Sequence, residues 1–330
     1  MSVIRFPYID FHCDTLMGAY FRGCRTAFEY DGAMASLKKL LAGGCGAQLF
    51  AIFMPPVEMC KKAGNDYPGD EAYILALTKI FENTLSEHSD IAARAENAGD
   101  LDANAHAGRI STILSMEDCR AVNGRFENIK RFYELGIRMM GLTWNFANCF
   151  GYPNSADPEL MNKGLTDFGK EAVPFMESLG MGIDVSHLSD GGFWDIVEIA
   201  KKPFIASHSN CRALNPHTRS MTDEMIKALA DKGGVMGVNF CPEFLHADAT
   251  RRDSTIDGIA LQLRHRINVG GLECAAIGTD FDGIDGELEI PDASHMPRLF
   301  EALERKGFTA NELDHISHLN AERVLKEILG

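Results

Sequence analysis

Eight short runs of apolar, β-rich residues punctuate the chain: Val3 to Phe11, Ala47 to Met54, Ile110 to Ser115, Ile137 to Thr143, Met181 to Ser186, Phe204 to Ser207, Val235 to Phe240 and Ala275 to Thr279. They are continuous rather than alternating, the pattern of strands buried on both faces of a parallel sheet. Helix signals fill the segments between them. After Ser189, a suitable N-cap, Phe193, Ile196, Val197 and Ala200 recur at i, i+3, i+4, i+7 spacing. Thr222 followed by Asp223 and Glu224 opens another helix, with Met225, Ile226 and Leu229 on its apolar side. Asp167 is expected to cap a helix running towards Leu179, in which Pro174 predicts a kink or a late start. Gly180, Gly233 and Gly234 are stop signals just before strands.

Eight strand–helix units predict an α/β fold, a (β/α)8 TIM barrel, with residues 1–330 forming a single domain. A doubly wound open sheet is the competing architecture. The strand count and the absence of a GxGxxG turn favour the barrel. The segments Phe53 to Asp70, rich in proline and glycine, and Asn148 to Gly164 are longer, and are expected to lie over the barrel mouth.

Composition narrows the partners. The 330 residues are 45% hydrophobic, with 47 acids against 32 bases and a net charge of -15. An acidic surface repels phosphate, which argues against nucleic acid and anionic membrane. The N-terminus, MSVIRFPYIDFHCD, lacks the basic and apolar regions of a secretory signal, and no apolar stretch is long enough to span a bilayer. Nine scattered cysteines form no CxxC pair. They are expected to be reduced thiols in the cytoplasm, most of them small buried apolar residues.

The chemistry collects at the ends of the apolar runs. The first ends in Phe11-His12-Cys13-Asp14, and i and i+2 of a strand point to the same side, so His12 and Asp14 can reach one ion. The third ends in Ser115-Met116-Glu117-Asp118, the fifth in Asp184-Val185-Ser186-His187, the sixth in Ala206-Ser207-His208-Ser209 and the eighth in Gly278-Thr279-Asp280-Phe281-Asp282. In a barrel these ends converge on the catalytic rim. Imidazole nitrogen and carboxylate oxygen are the usual ligands of zinc where thiolates are not used. The two oxygens of a carboxylate such as Glu117 can bridge two ions. One strand-end histidine is more often a hydrogen-bonded rim residue, but three in one barrel favour ligation. Asp280 also fits a helix cap or a partner of Arg219. The remaining histidines, His88, His106, His246, His265, His295, His315 and His318, lack strand-end placement, and His217 is expected to be exposed in a polar loop.

At these residues the chain resembles the membrane dipeptidase (renal dipeptidase) family of amidohydrolase-like metal-dependent barrels. The matching motifs are IDFHCDT at 9–15, SMED at 115–118, GIRMMGLTWN at 136–145, LGMGIDVSHLS at 179–189, PFIASHSNCRAL at 203–214, IGTDFDGI at 277–284 and SHLNAERVL at 317–325. The resemblance implies two zinc ions, one held by His12 and Asp14, the second by His187 and His208, with Glu117 bridging. It implies that Asp280 handles protons and that Arg219 binds the terminal carboxylate of the substrate. Animal members have a substrate-contacting histidine where this chain has Trp144, followed by Asn145. Indole cannot accept a hydrogen bond or change charge, so the grip on the substrate differs here. A homodimer is also implied.

The expected activity is hydrolysis of the amide bond of dipeptides, including those with a C-terminal D-residue, by a hydroxide shared between the two zincs. A deacetylase, lactonase or cyclic-amide hydrolase could use the same rim, because fold does not fix substrate. A non-catalytic metal-binding barrel would lack a ligand or the acid, yet all six positions are filled. A nicotinamide- or phosphate-binding barrel would need a glycine-rich turn that is missing.

Overall fold

Continuous burial along each apolar run makes it a strand with two covered faces, and eight such strands close on one another. The computed structural model describes residues 5–30, 32–248 and 250–330. The barrel strands are β1 (Tyr8–Cys13), β2 (Cys45–Phe53), β3 (Ile110–Glu117), β4 (Ile137–Gly141), β5 (Gly182–Asp184), β6 (Ile205–Ser209), β7 (Val235–Val238) and β8 (Ala275–Ile277). All pair in parallel, each with its neighbours in chain order. The ring closes where Asp10 of β1 pairs with Ile277 of β8. The fold is the expected (β/α)8 barrel. Val3 and Ile4, placed at the start of the first run, lie outside the described residues.

One strand went unforeseen. Ala92–Arg94 adds to the outer edge of β3, alongside Ile110 to Thr112, below the point where β4 takes over that edge. Three residues without a β-branched or aromatic side chain leave no periodic signal.

The core divides into two hydrophobic clusters, the smaller of which fills the barrel interior. Ile9, Phe11, Leu49, Ile113, Met139, Ile205, Val235 and Ala276 form one cluster with Val324, Leu325, Ile328 and Leu329 of the helix Asn320–Leu329. That helix closes the end where the strands begin; Ile328 lies directly against Gly182. The opposite end, where the strands finish, stays open. There, register shifts interrupt the ladders between Asp10 and Cys13, between Leu114 and Ser115, and between Ala206 and Ser209. Shifts of this kind re-aim side chains. These flank or contain His12, Glu117 and His208.

The helix signals place most boundaries. Ser189 and Thr222 accept hydrogen bonds from Gly192 N and Met225 N, capping Asp190–Ile199 and Asp223–Asp231. Ala200 instead follows its helix in extended backbone. The cap expected at Asp167 belongs to Thr166, whose hydroxyl accepts from Gly169 N; Asp167 is the first helical residue, where its charge faces the positive end of the helix dipole. The helix does not start late at Pro174 but runs through it to Leu179, with Ala172, Val173 and Met176 buried on either side. Among the described residues, no helix is long and apolar enough to cross a membrane.

Candidate metal centre

Six side chains from five strand ends meet at the open end of the barrel. His12 and Asp14 come from the end of β1, Glu117 from β3, His187 follows β5, His208 lies in β6 and Asp280 follows β8. Glu117 is central. Its Oε1 is 2.8 Å from His187 Nε2 and 3.5 Å from His208 Nε2, while its Oε2 is 3.4 Å from His12 Nε2. His187 Nε2 and His208 Nε2 are 3.1 Å apart, and His12 Nε2 is 3.6 Å from Asp14 Oδ2 and 3.9 Å from Asp280 Oδ1.

This donor set fits a pair of cations. Two ligand atoms each about 2.0–2.1 Å from zinc, in a tetrahedron, stand about 3.3 Å apart. The separations within His12, Asp14 and Glu117, and within Glu117, His187 and His208, cluster around that length. His12 Nε2 and Asp14 Oδ1 are buried without a hydrogen-bond partner among the described residues, which is costly unless something else satisfies them.

Burial and charge act together on the titratable groups. Burial holds His208 well below the ordinary imidazole range, reinforced by His12, and lowers His187 to about 4, reinforced by Arg219. Both are therefore neutral, the state in which imidazole ligates metal. Burial also pulls on His12, but Glu117 and Asp14 outweigh it and raise it well above its usual value. Burial raises Glu117, but His12 and His187 outweigh it and keep the carboxylate ionised. Asp280 is pushed up to about 7, mainly by burial; His12 opposes this while Asp14 and Glu117 add to it.

The backbone is bent to present these groups. Asp118, Asp280 and Asp282 all have positive φ, at 64°, 64° and 69°. For residues with a Cβ this costs of order 1–3 kcal/mol each, and it persists only where the surroundings enforce it. Here they do. Asp118 accepts from Arg120 Nη1 at 2.9 Å and Asn148 Nδ2 at 2.9 Å. Asp282 accepts from Thr15 Oγ1 at 2.5 Å and Met34 N at 2.6 Å. Gly283 follows because a Cβ there would collide with Asp14 Oδ2 and Asp280 Oδ1.

Beneath the site, two buried aspartates join neighbouring strands. Asp10 accepts from Thr279 N at 2.9 Å, Thr279 Oγ1 at 2.7 Å and His12 N at 3.3 Å, tying β1 to the end of β8. Asp184 does the same between β5 and β6. Sequence reasoning gave Asp10 no role and named Asp184 only as part of a strand end; a charged residue inside an apolar run was the available signal.

Above the site opens a cavity of about 510 Å³. Arg219, Trp144 and Asn145 line it together with the cluster residues other than His12. Arg219 is buried. Its Nη1 donates to Ser186 O and its Nη2 to His208 O at 3.2 Å, while Nε has no partner among the described residues. Trp144 packs edge-on against Phe53 at 4.9 Å and lies 6.2 Å from the His187 ring. Asn145 is exposed at the mouth. His217 is exposed, as expected, yet it also lines the cavity and leans on Phe244 at 4.8 Å. The expected mouth segments contribute Phe53 and Met59 on one side, and Asn154, Ser155 and Ala156 on the other. Asn239, just past β7, was also missed, because the apolar run Val235 to Phe240 enclosed it while the strand itself ends at Val238.

A family model described as membrane dipeptidase (peptidase family M19) matches residues 3–329. An uncharacterized protein in the pqqA 5′ region of Klebsiella pneumoniae is 35% identical over 269 residues, covering 79% of this chain and 98% of that protein. An uncharacterized dipeptidase of Schizosaccharomyces pombe is 30% identical over 320 residues, covering 91% of this chain and 74% of that one. Among solved structures, a metallo peptidase from Rhodobacter sphaeroides, liganded with a phosphinate mimic of the dipeptide L-Ala-D-Ala, superposes with a TM-score of 0.87 at 24% identity, covering 98% of this chain and 99% of that one.

Proposed function

This chain belongs to the membrane dipeptidase family, and from that premise we propose that it is a zinc-dependent hydrolase cleaving the amide bond of dipeptides. The observation that carries the reading is the two-sided placement of Glu117, one oxygen towards His187 and His208 and the other towards His12. His12 and Asp14 would hold one ion, His187 and His208 the other, with Glu117 between. Two zinc ions bound there would supply Lewis-acid stabilisation of developing negative charge and an acidified water.

The remaining work falls to the chain itself. Asp280 Oδ2 is held by Asn239 Nδ2 at 2.8 Å, which leaves Oδ1 to take a proton from the attacking water and pass it to the leaving amine. Arg219 lies in the cavity wall with donors left over, and binds the terminal carboxylate of the substrate by charge-assisted hydrogen bonds. Its ties to Ser186 O and His208 O fix the guanidinium beside the two histidine ligands. Trp144 and Phe53 form an aromatic wall that packs a substrate side chain and excludes water, and Asn145 offers a polar contact at the mouth.

The range extends to dipeptides ending in a D-residue, a chemistry matched by the ligand of the Rhodobacter sphaeroides protein. A panel of L,L- and L,D-dipeptides, N-acetyl amino acids, lactones and cyclic amides, assayed on protein whose metal content is measured in the same sample, tests this. Turnover of dipeptides above all others is expected. Preferred turnover of an acetyl, lactone or cyclic substrate would overturn it.

A further inference from the structure

The two histidines assigned to the second ion are supported differently. The Nδ1 of His187 is buried without a partner among the described residues. The Nδ1 of His208 is 2.7 Å from Ser207 Oγ, and Ser207 Oγ is 2.5 Å from Asp184 Oδ2. Asp184 Oδ1 accepts from Ser186 N at 3.0 Å, Ser186 Oγ at 2.6 Å and Ser207 N at 2.9 Å. The backbone N of His208 donates to Ser186 Oγ at 3.1 Å. Asp184, Ser186, Ser207 and His208 are all buried.

We infer that Asp184 and Ser207 are positioning residues that lock His208 into the tautomer whose Nε2 is free for a cation. The inference rests on the metal reading above. Proton bookkeeping fixes the direction. A carboxylate only accepts, so the Ser207 hydroxyl proton points to Asp184 Oδ2. The Ser207 oxygen is then left to accept. Ser186 Oγ lies 3.1 Å from it but spends its proton on Asp184 Oδ1 at 2.6 Å, so the proton that meets Ser207 is the one on His208 Nδ1. A neutral ring protonated at Nδ1 presents its lone pair at Nε2, towards Glu117 Oε1 and His187 Nε2. Metal-bound histidines are commonly oriented through the other ring nitrogen in this way, most often by a carboxylate directly. Here a serine is inserted between carboxylate and imidazole. Among the described residues His187 has no such support, so His208 is the preorganised ligand of the pair.

The sharpest variant is Asp184→Asn. Two backbone N–H groups point at the Oδ1 position, so the amide oxygen must occupy it and the NH2 must face Ser207. The Ser207 hydroxyl then turns towards His208 Nδ1 and drives the ring proton to Nε2, where it blocks ligation. Ser207→Ala removes the connection without imposing the wrong tautomer. The test is zinc titration of the full chain against a competing chromophoric chelator, resolving both dissociation constants, with thermal unfolding of the metal-free protein alongside. Each variant is expected to weaken one site by roughly 10–100-fold and leave the other within about twofold, Asp184→Asn more than Ser207→Ala. Unchanged constants in both variants would overturn the inference. So would equal weakening of both sites with a lowered metal-free melting temperature, because that marks a purely structural role. A wild-type chain that takes up no zinc would instead overturn the metal reading beneath it.

Discussion

The side-chain amide of Asn239 donates to Oδ2 of Asp280 at 2.8 Å, so one oxygen of that carboxylate is anchored while the other faces His12. Proton transfer then depends on a group whose aim is set by its neighbour. Asp280→Asn should leave bound zinc unchanged and lower turnover by about 10²–10⁴-fold, the usual worth of a positioned acid–base group. Asn239→Ala should cost roughly tenfold in turnover, again with zinc retained, because the anchored oxygen loses a hydrogen bond to a charged group. Metal analysis and steady-state kinetics on the same samples check both. Normal turnover in Asp280→Asn would remove it from this role.

Asp280 also sets a pH dependence in the metal-free protein. Its folded pKa, about 7, lies above that of an unfolded aspartate. A raised pKa means that the folded state binds more protons, so the residue costs no stability below about pH 4 and an increasing amount as pH rises through about 7. Metal-free Asp280→Asn should therefore unfold at higher denaturant than metal-free wild type at pH 8, with the difference gone near pH 4. A gap that widens towards acid would contradict the assignment.

Removing the metal should abolish hydrolysis, and returning zinc should restore it. Native protein should carry two zinc equivalents per chain by mass spectrometry. Glu117→Gln, which neutralises the central carboxylate, should lower occupancy of both sites together. Loss of a single equivalent would argue against a bridge.

If Arg219 reads a terminal carboxylate, Arg219→Lys should raise KM for dipeptides by about tenfold or more, since an ammonium cannot reproduce the guanidinium fork. The same change should have little effect on a dipeptide amide, already poor with the wild type. Equal effects on acid and amide would show that Arg219 acts only through its bonds to Ser186 O and His208 O.

Trp144 and Phe53 should favour substrates with a large apolar side chain. Trp144→Ala is expected to reduce kcat/KM for such dipeptides by roughly tenfold, the equivalent of losing one well-buried apolar contact, and to change glycine-led dipeptides little. A uniform loss across the panel would point to a structural role for the indole.

The eight barrel strands and the convergence of His12, Asp14, Glu117, His187, His208 and Asp280 were legible in the sequence. Buried parallel strands write continuous apolar runs, and polar residues at their ends have only the rim to occupy. The edge strand Ala92–Arg94 was not, because three residues carry no period. Thr166 rather than Asp167 caps its helix, since a hydroxyl one residue earlier reaches the free N–H groups equally well. The roles of Asp10, Asp184 and Asn239 were not legible, because their partners come from neighbouring strands or the residues just past them. His217 was placed correctly at the surface, but only packing against Phe244 reveals that this surface is the cavity wall.

The seam between β1 and β8 joins Asp10 to Ile277 and Thr279, the latter 269 positions further along the chain. His12 sits on one side of that seam and Asp280 on the other, and every other cluster residue lies in the stretch between them. A stretch that omits β1 loses His12 and Asp14, and one that ends before the close of β8 loses Asp280, so the centre needs the ring closed. Zinc uptake during refolding should thus report ring closure itself, arriving with the slowest long-range step rather than with early helix formation.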